Sequence, residues 1–324
     1  MTHDGGWGRV GWNLWSDPAQ VRARLAAGAD PNSPIRGAEP PLHSAAQWGS
    51  AEVVAELSAR VEDVDAKHDG RTALWVAVNV DRPANARVLA ESGADPWRPM
   101  MAGWSPGRLS LAGRTPDLFP APPDGQVLTP AEASAAAEAR RLGDALDGLH
   151  TEGMSLCCVG GVDAAEAVRR LGATIIGPAD PDEVDEFPDD PTSDAALLMV
   201  GVTDVPGGCV ISQRWGYGAS TPVVSRLLSA GTVCYAMYAN PKSGNQGSIF
   251  RDGVCAGWDL HPGGGWSSAD DSAEEILRTF LHRHRAVAYC CAYAGVRPAD
   301  ARPFENAPDL WVRLPDRDYW SRTD

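Results

Sequence analysis

Pro41-Leu42-His43-Ser44-Ala45-Ala46 and Ala73-Leu74-Trp75-Val76-Ala77-Val78 are two short runs of apolar and small residues, and their surroundings repeat. Gly37 and Gly70 lie just ahead of them, and Gly103 follows at the same 33-residue step. Each unit also closes alike: Gly28-Ala29-Asp30-Pro31-Asn32, then Val61-Glu62-Asp63-Val64-Asp65-Ala66, then Gly93-Ala94-Asp95-Pro96. A fixed period of this length signals a stack of supersecondary units. Gly70 suits the positive φ of a tight turn. Alanines 45, 46 and 77 let helices approach closely, while Val53, Val54, Leu57, Val88 and Leu89 give each second helix an apolar stripe. The period predicts a half unit from Trp15 to Asn32, full units at 33–66 and 67–97, and a degenerate closing unit reaching Phe119. Asp17-Pro18-Ala19-Gln20 caps the first helix.

These residues resemble the ankyrin repeat, whose pattern is a turn glycine, Thr-Pro-Leu-His-x-Ala-Ala, a glycine between two helices and a closing Gly-Ala-Asp-x-Asn. This chain departs from it in places. Trp75 stands where the second repeat would carry histidine, Pro40 replaces threonine, and the Lys67–Gly70 turn is one residue short. The resemblance implies a helical solenoid that binds a protein partner through its turn tips and the ends of its first helices. Carried over residue by residue, the partner-binding positions are Ser44, Gln47, Trp48, Lys67, His68, Asp69, Arg71, Asn79 and Val80. Trp48 is the natural anchor, because an exposed tryptophan dominates many interfaces. The competing reading packs Trp48 on the following domain or on Trp7, Trp12 and Trp15, since a short stack must cover its ends.

Beyond the repeats, Pro116, Pro120, Pro122, Pro123 and Pro130 mark a semi-rigid linker, placed at 120–130. Domains of 1–119 and 131–324 follow. Thr129-Pro130-Ala131-Glu132, Asp163 with Glu166, and Ser272 with Glu275 read as helix-opening boxes. The last opens a long helical stretch expected to reach Ala294. Strands are expected near Gly153–Val159, Ala195–Val202, Gly208–Gln213, Thr232–Tyr238, Ser248–Arg251 and Val254–Asp259, the last two joined by Asp252-Gly253. Asn240–Gly247 reads as an exposed loop. The order suggests an α+β domain with a mostly antiparallel sheet. Cys158-Val159-Gly160-Gly161-Val162, Ala164–Gly172, Ser225–Gly231 and Arg251-Asp252-Gly253-Val254 before Trp258-Asp259 resemble an uncharacterised actinobacterial α+β domain family, over residues 150–300. The whole is thus an α-solenoid of ankyrin-like hairpins followed by an α+β domain.

Composition narrows the function. The 324 residues carry 28 basic and 43 acidic side chains, a formal charge of −15. That balance argues against nucleic acid as partner, because phosphate binding needs a basic face. No apolar stretch approaches the ~18 residues of a membrane span. Met1–Val10 lacks the features of a secretory signal, so a cytoplasmic protein is expected. Seven cysteines, four of them in the vicinal pairs Cys157-Cys158 and Cys290-Cys291, fit reduced thiols better than a disulfide framework. Two lysines against many arginines, with abundant alanine, fit a high-GC bacterial genome.

Catalytic chemistry is weakly signalled. Gly216, Gly218, Ser220 and Thr221 lie between a strand and a helix and offer a possible anion loop, without the lysine of a P-loop. His282 and His284, two apart on the expected helix, do not face each other, and His284 falls on its apolar stripe. Cys209, Cys255 and His261 form no local thiol–imidazole motif. The run 180–194 carries eight acids and no bases, with prolines that break a calcium-loop pattern, and reads as solvated. No catalytic residue, metal or cofactor is expected. The reading is a non-enzymatic protein-interaction protein, with the C-terminal domain as a second recognition surface. The alternative is an enzyme or toxin-like effector in that domain, which requires Ser220, Asp259 and His261 in one pocket. An anion or nucleotide sensor at 216–221 is a further alternative.

Overall fold

The structure is a computed structural model that describes residues 6–7, 11–33, 39–122, 126–177, 194–305 and 308–321. The turn at Gly37 and nearly all of the acidic run 180–194 lie outside the described residues. The chain forms two compact units, Met1–Ala136 with Ser267–Leu281, and Ala137–Trp266 with His282–Asp324. They do not divide where the composition shifts: the proline-rich stretch belongs to the first unit, which also takes back a segment 130 residues downstream. No described helix is long and apolar enough to cross a membrane.

The first unit is a stack of helical hairpins. A short 3-10 turn, Trp12–Ser16, and α1 (Pro18–Ala26) make the first. Next come α2 (Pro41–Trp48) with α3 (Ala51–Ser58), then α4 (Ala73–Asn79) with α5 (Pro83–Glu91); α6 (Pro106–Ala112) opens a fourth. The 3-10 turn, α2, α4 and α6 form an inner row, and α1, α3 and α5 an outer one. The expected cap on α1 is present, with Asp17 Oδ1 accepting from the Ala19 and Gln20 amides. Ser50, Thr72 and Ser105 cap α3, α4 and α6 in the same way.

Burial follows from the stacking. Val53, Val54, Leu57, Leu74, Trp75, Leu89 and Leu109 are wholly buried, each contributing roughly 1.5–3 kcal/mol by removal from water. Polar side chains then fix the register between units. Asn32 Oδ1 accepts from the Glu62 amide at 2.9 Å, and the Asp65 carboxylate accepts from the Asp95 amide at 3.3 Å. Both bonds span 30 residues. Asn85 is buried on α5 and its amide donates to the carbonyls of Ala45, Ala46 and Gly49 at 3.1–3.3 Å, closing the end of α2. Gly49 is required there, because a Cβ would stand 2.6 Å from the Ala45 carbonyl oxygen.

The downstream segment closes the stack. Its helix, named α11 by its place in the chain (Ala273–Leu281), lies against α6 and the turn before it. The Trp104 indole donates to the Ala273 carbonyl at 2.9 Å. Arg108 stacks over Trp104, 4.4 Å from the ring centroid, and pairs with Glu132 at 2.7 Å. Glu132 is also the second half of the expected capping box with Thr129, at the start of α7 (Pro130–Ala145).

The second unit is built on eight strands: β1 (Ser155–Gly160), β2 (Thr174–Gly177), β3 (Met199–Val205), β4 (Gly208–Gln213), β5 (Val233–Asn240), β6 (Gly244–Arg251), β7 (Val254–Asp259) and β8 (Leu310–Arg313). Their order is β2-β8-β3-β4-β1-β5-β6-β7, and every pairing is antiparallel. α8 (Ala164–Leu171) and α10 (Pro222–Leu228) cover one face with Cys157, Val159, Ile211, Cys234 and Phe250. α12 (Ala286–Ala294) and Leu142 of α7 cover the other with Leu156, Cys158, Val210, Tyr235 and Met237. The two-residue period of β1 thus sends its vicinal cysteines to opposite layers.

Three sequence expectations need correction. The helical stretch expected from Ser272 to Ala294 is two helices, α11 and α12, broken where His284 takes φ +60° and its amide donates to the Gly263 carbonyl at 2.6 Å. The strand expected from Ala195 begins only at Met199, after the short helix α9 (Asp194–Leu197). Asn240–Gly247 is mostly a hairpin, because β5 and β6 pair up to Asn240 and Gly244.

Two outcomes follow. Asn85→Ala strips a buried helix end of its donor and lowers the stability of the repeat unit by ~2 kcal/mol, read from denaturant unfolding. His43 is buried, and its Nε2–H donates to the Arg71 carbonyl at 2.9 Å; burial pushes its pKa down from 6.5 to about 4. Its contribution is therefore complete above pH ~6.5 and is lost as the pH falls toward 4, where the unfolded chain binds a proton that the folded one refuses, up to ~3 kcal/mol. His43→Gln shows a correspondingly flatter pH dependence of unfolding over that window.

Candidate functional site

Five of the nine expected contact positions keep side-chain surface toward solvent, two at the end of α2 and three on the hairpin tip ahead of α4. Trp48 ends α2 with 41% of its surface exposed, and Gln47 beside it is half-buried. The hairpin tip ahead of α4 supplies Lys67 and Asp69, both exposed, and half-buried His68. His68 and Arg71 exchange backbone bonds of 2.8 and 3.0 Å around Asp69 and Gly70, which take φ of 47° and 77°. This two-residue turn explains why the tip is one residue short, since positive φ at both centres suits Asp-Gly. The His68 ring lies 6.0 Å from that of His43, edge to face, so the tip stands on the buried imidazole.

The other four of the nine expected contact positions are buried or half-buried. Ser44 and Asn79 are buried, at 8% and 3% exposure, and drop out of the edge. An inner helix meets a neighbour on each side and its own partner behind, so α4 is buried along its whole length. Val80 is half-buried at the end of α4. The Arg71 guanidinium is largely covered: it donates to the Ser267 carbonyl at 3.4 Å and meets Asp69 at 3.5 Å. The downstream segment thus occupies the edge at Arg71 and Trp104, while the part at Trp48 and Lys67 stays exposed.

The 216–221 loop is built differently from an anion cradle. Gly218 N–H donates to Gln213 Oε1 at 2.7 Å and Gly216 N–H to the Gly153 carbonyl at 3.2 Å. The Ser220 and Thr221 amides and hydroxyls all point back to Tyr217 and Gly218 carbonyls. A Cβ at residue 216 would overlap the Gln213 amide, so glycine there makes room for a buried glutamine. Gln213 in turn donates to the Ala196, Leu197 and Met199 carbonyls. These donors serve the fold.

The polar groups of the effector reading are only partly assembled. Asp259 accepts from the His261 amide at 2.8 Å and from the buried Tyr235 hydroxyl at 2.6 Å. His261 lines a cavity with Asn245 and His284, but Ser220 is turned onto the Tyr217 carbonyl and does not line it. His282 and His284 are separated as expected, with their environments reversed: His282 is buried and His284 exposed. The helix break, not an apolar stripe, places them. All seven cysteines are free and only Cys255 is exposed. Burial pushes the Cys209 thiol up to about 12, so it is a packing group and not a nucleophile.

A family model of ankyrin repeats, in three copies, matches residues 17–100. No curated protein matches the chain. The match begins at the cap of α1 and ends just before α6, spanning the hairpins whose bonds repeat every 30 residues. Residues 17–100 are therefore ankyrin repeats, followed in the chain by a region built on an eight-stranded antiparallel sheet with helices.

Proposed function

We propose that this is a non-enzymatic binding protein of the cytoplasm, whose repeats dock a protein partner on the edge formed by Gln47, Trp48, Lys67, His68 and Asp69. The observation that carries the reading is Trp48, a large aromatic left 41% exposed at the end of a helix that is otherwise almost fully buried. Ankyrin repeats support a protein–protein interaction role. An exposed tryptophan is the side chain most often found as an interface anchor. The sheet-bearing unit serves as a second recognition surface. The effector reading is less well supported, because Ser220 is bonded to the Tyr217 carbonyl and does not line the cavity that His261 lines.

The test uses the whole chain, since Ser267–Leu281 belongs to the repeat unit. With a partner captured by the intact protein and then purified, Trp48→Ala weakens binding ~30-fold or more, the loss of an anchoring side chain. Its unfolding midpoint stays close to that of the parent. Lys67→Glu slows association and alters its salt dependence. Binding unchanged in Trp48→Ala removes the anchor.

A further inference from the structure

The second unit contains three adjoining cavities that the binding edge does not use, of about 230, 310 and 250 Å³. All three are lined by Asn245, and two of them by His284. Arg285 lines the first and His261 the third. The side chains of these four residues make no hydrogen bond or ion pair among the described residues. His261 and His284 are exposed, whereas Asn245 and Arg285 are half-buried; polar side chains that leave water are nearly always paired, and the half-buried guanidinium without a partner is the costlier of the two.

Arg285 also has a place made for it. Gly143 sits inside α7, where glycine costs up to ~1 kcal/mol against alanine. A Cβ there would overlap the Arg285 guanidinium. The guanidinium thus lies directly against the α7 backbone at Gly143 and pairs with no described residue. Asp147 lines the same cavity without coming within pairing distance of it. On the other wall, Asn245 is presented by β6 beside its hairpin turn. His284 is fixed by its left-handed backbone and the bond to Gly263.

We propose that this cleft binds a small oxyanion, the carboxylate or phosphate of a small molecule, with Arg285 as the principal contact and Asn245 and His284 as hydrogen-bonding partners. A planar guanidinium offers paired N–H donors that match two oxygens of either group. In a chain of net charge −15, a cation left unpaired within a cavity is set apart from the surface at large.

Calorimetric titration of the full chain with inorganic phosphate, and separately with acetate, at matched chloride concentration tests this. Saturable heat is expected for at least one probe, with Kd of ~0.1–1 mM. Response to phosphate alone identifies a phosphate-bearing ligand, and response to acetate alone a carboxylate. Arg285→Gln weakens binding at least ~10-fold, a loss typical of a charge-assisted contact. Gly143→Ala, which keeps the charge but displaces the guanidinium, also weakens it, whereas Arg140→Gln on the exposed side of α7 does not. No saturable heat with either probe up to ~20 mM, or unchanged affinity in both Arg285→Gln and Gly143→Ala, overturns the proposal.

Discussion

No hairpin of this stack can hide its apolar face by itself. Leu74, Trp75 and Val76 of α4 are buried because α2 and α6 press on them from either side and α5 from behind. The stack must therefore continue, or be closed, at both ends. At the front, Trp7 and Trp15 lie 5.7 Å apart, and the wholly buried Trp7 indole is tied to the Asp30 carbonyl at 2.7 Å. At the back, α6 is the last inner helix and α11 covers it, although more than 150 residues separate them in the chain.

That closure shapes function. A segment that caps the last repeat also runs past the Arg71 tip, so the same residues that stabilise the stack take up part of its recognition edge. What stays exposed is Trp48 at the end of α2 and the Lys67–Asp69 tip, the latter beside the buried His43–Arg71 bond. In the proposed function a partner is read there by one aromatic, one amide and a few charges. The buried His43 ring supports the tip, through its bond to the Arg71 carbonyl and its contact with the His68 ring.

Much of this was legible in the sequence where the signal is local. The caps at Asp17, Thr129, Asp163 and Ser272 all form, because each depends on groups within three residues. The repeat period was legible for the same reason, as was the opposite facing of Cys157 and Cys158. What failed depends on distant partners. β2 and β8 pair across more than 130 residues and are only four residues long, too short to show a period. The break at His284 is made by the Gly263 carbonyl, on a loop remote in sequence. Ser44 and Asn79 are polar residues at positions that face solvent in an isolated helix, and only neighbouring repeats bury them. At Gly216 and Gly218 the glycine spacing alone was a weak signal, and sequence cannot show that Gln213 fills the loop.

Hydrogen exchange followed by mass spectrometry on the intact protein tests the central claim most directly. If the downstream segment closes the stack, amides of α11 are protected together with those of α6, and both fray ahead of α4 as denaturant is raised. Exchange of α11 at the rate of an unstructured peptide, or in step with β1 and β5 of the sheet, would contradict it.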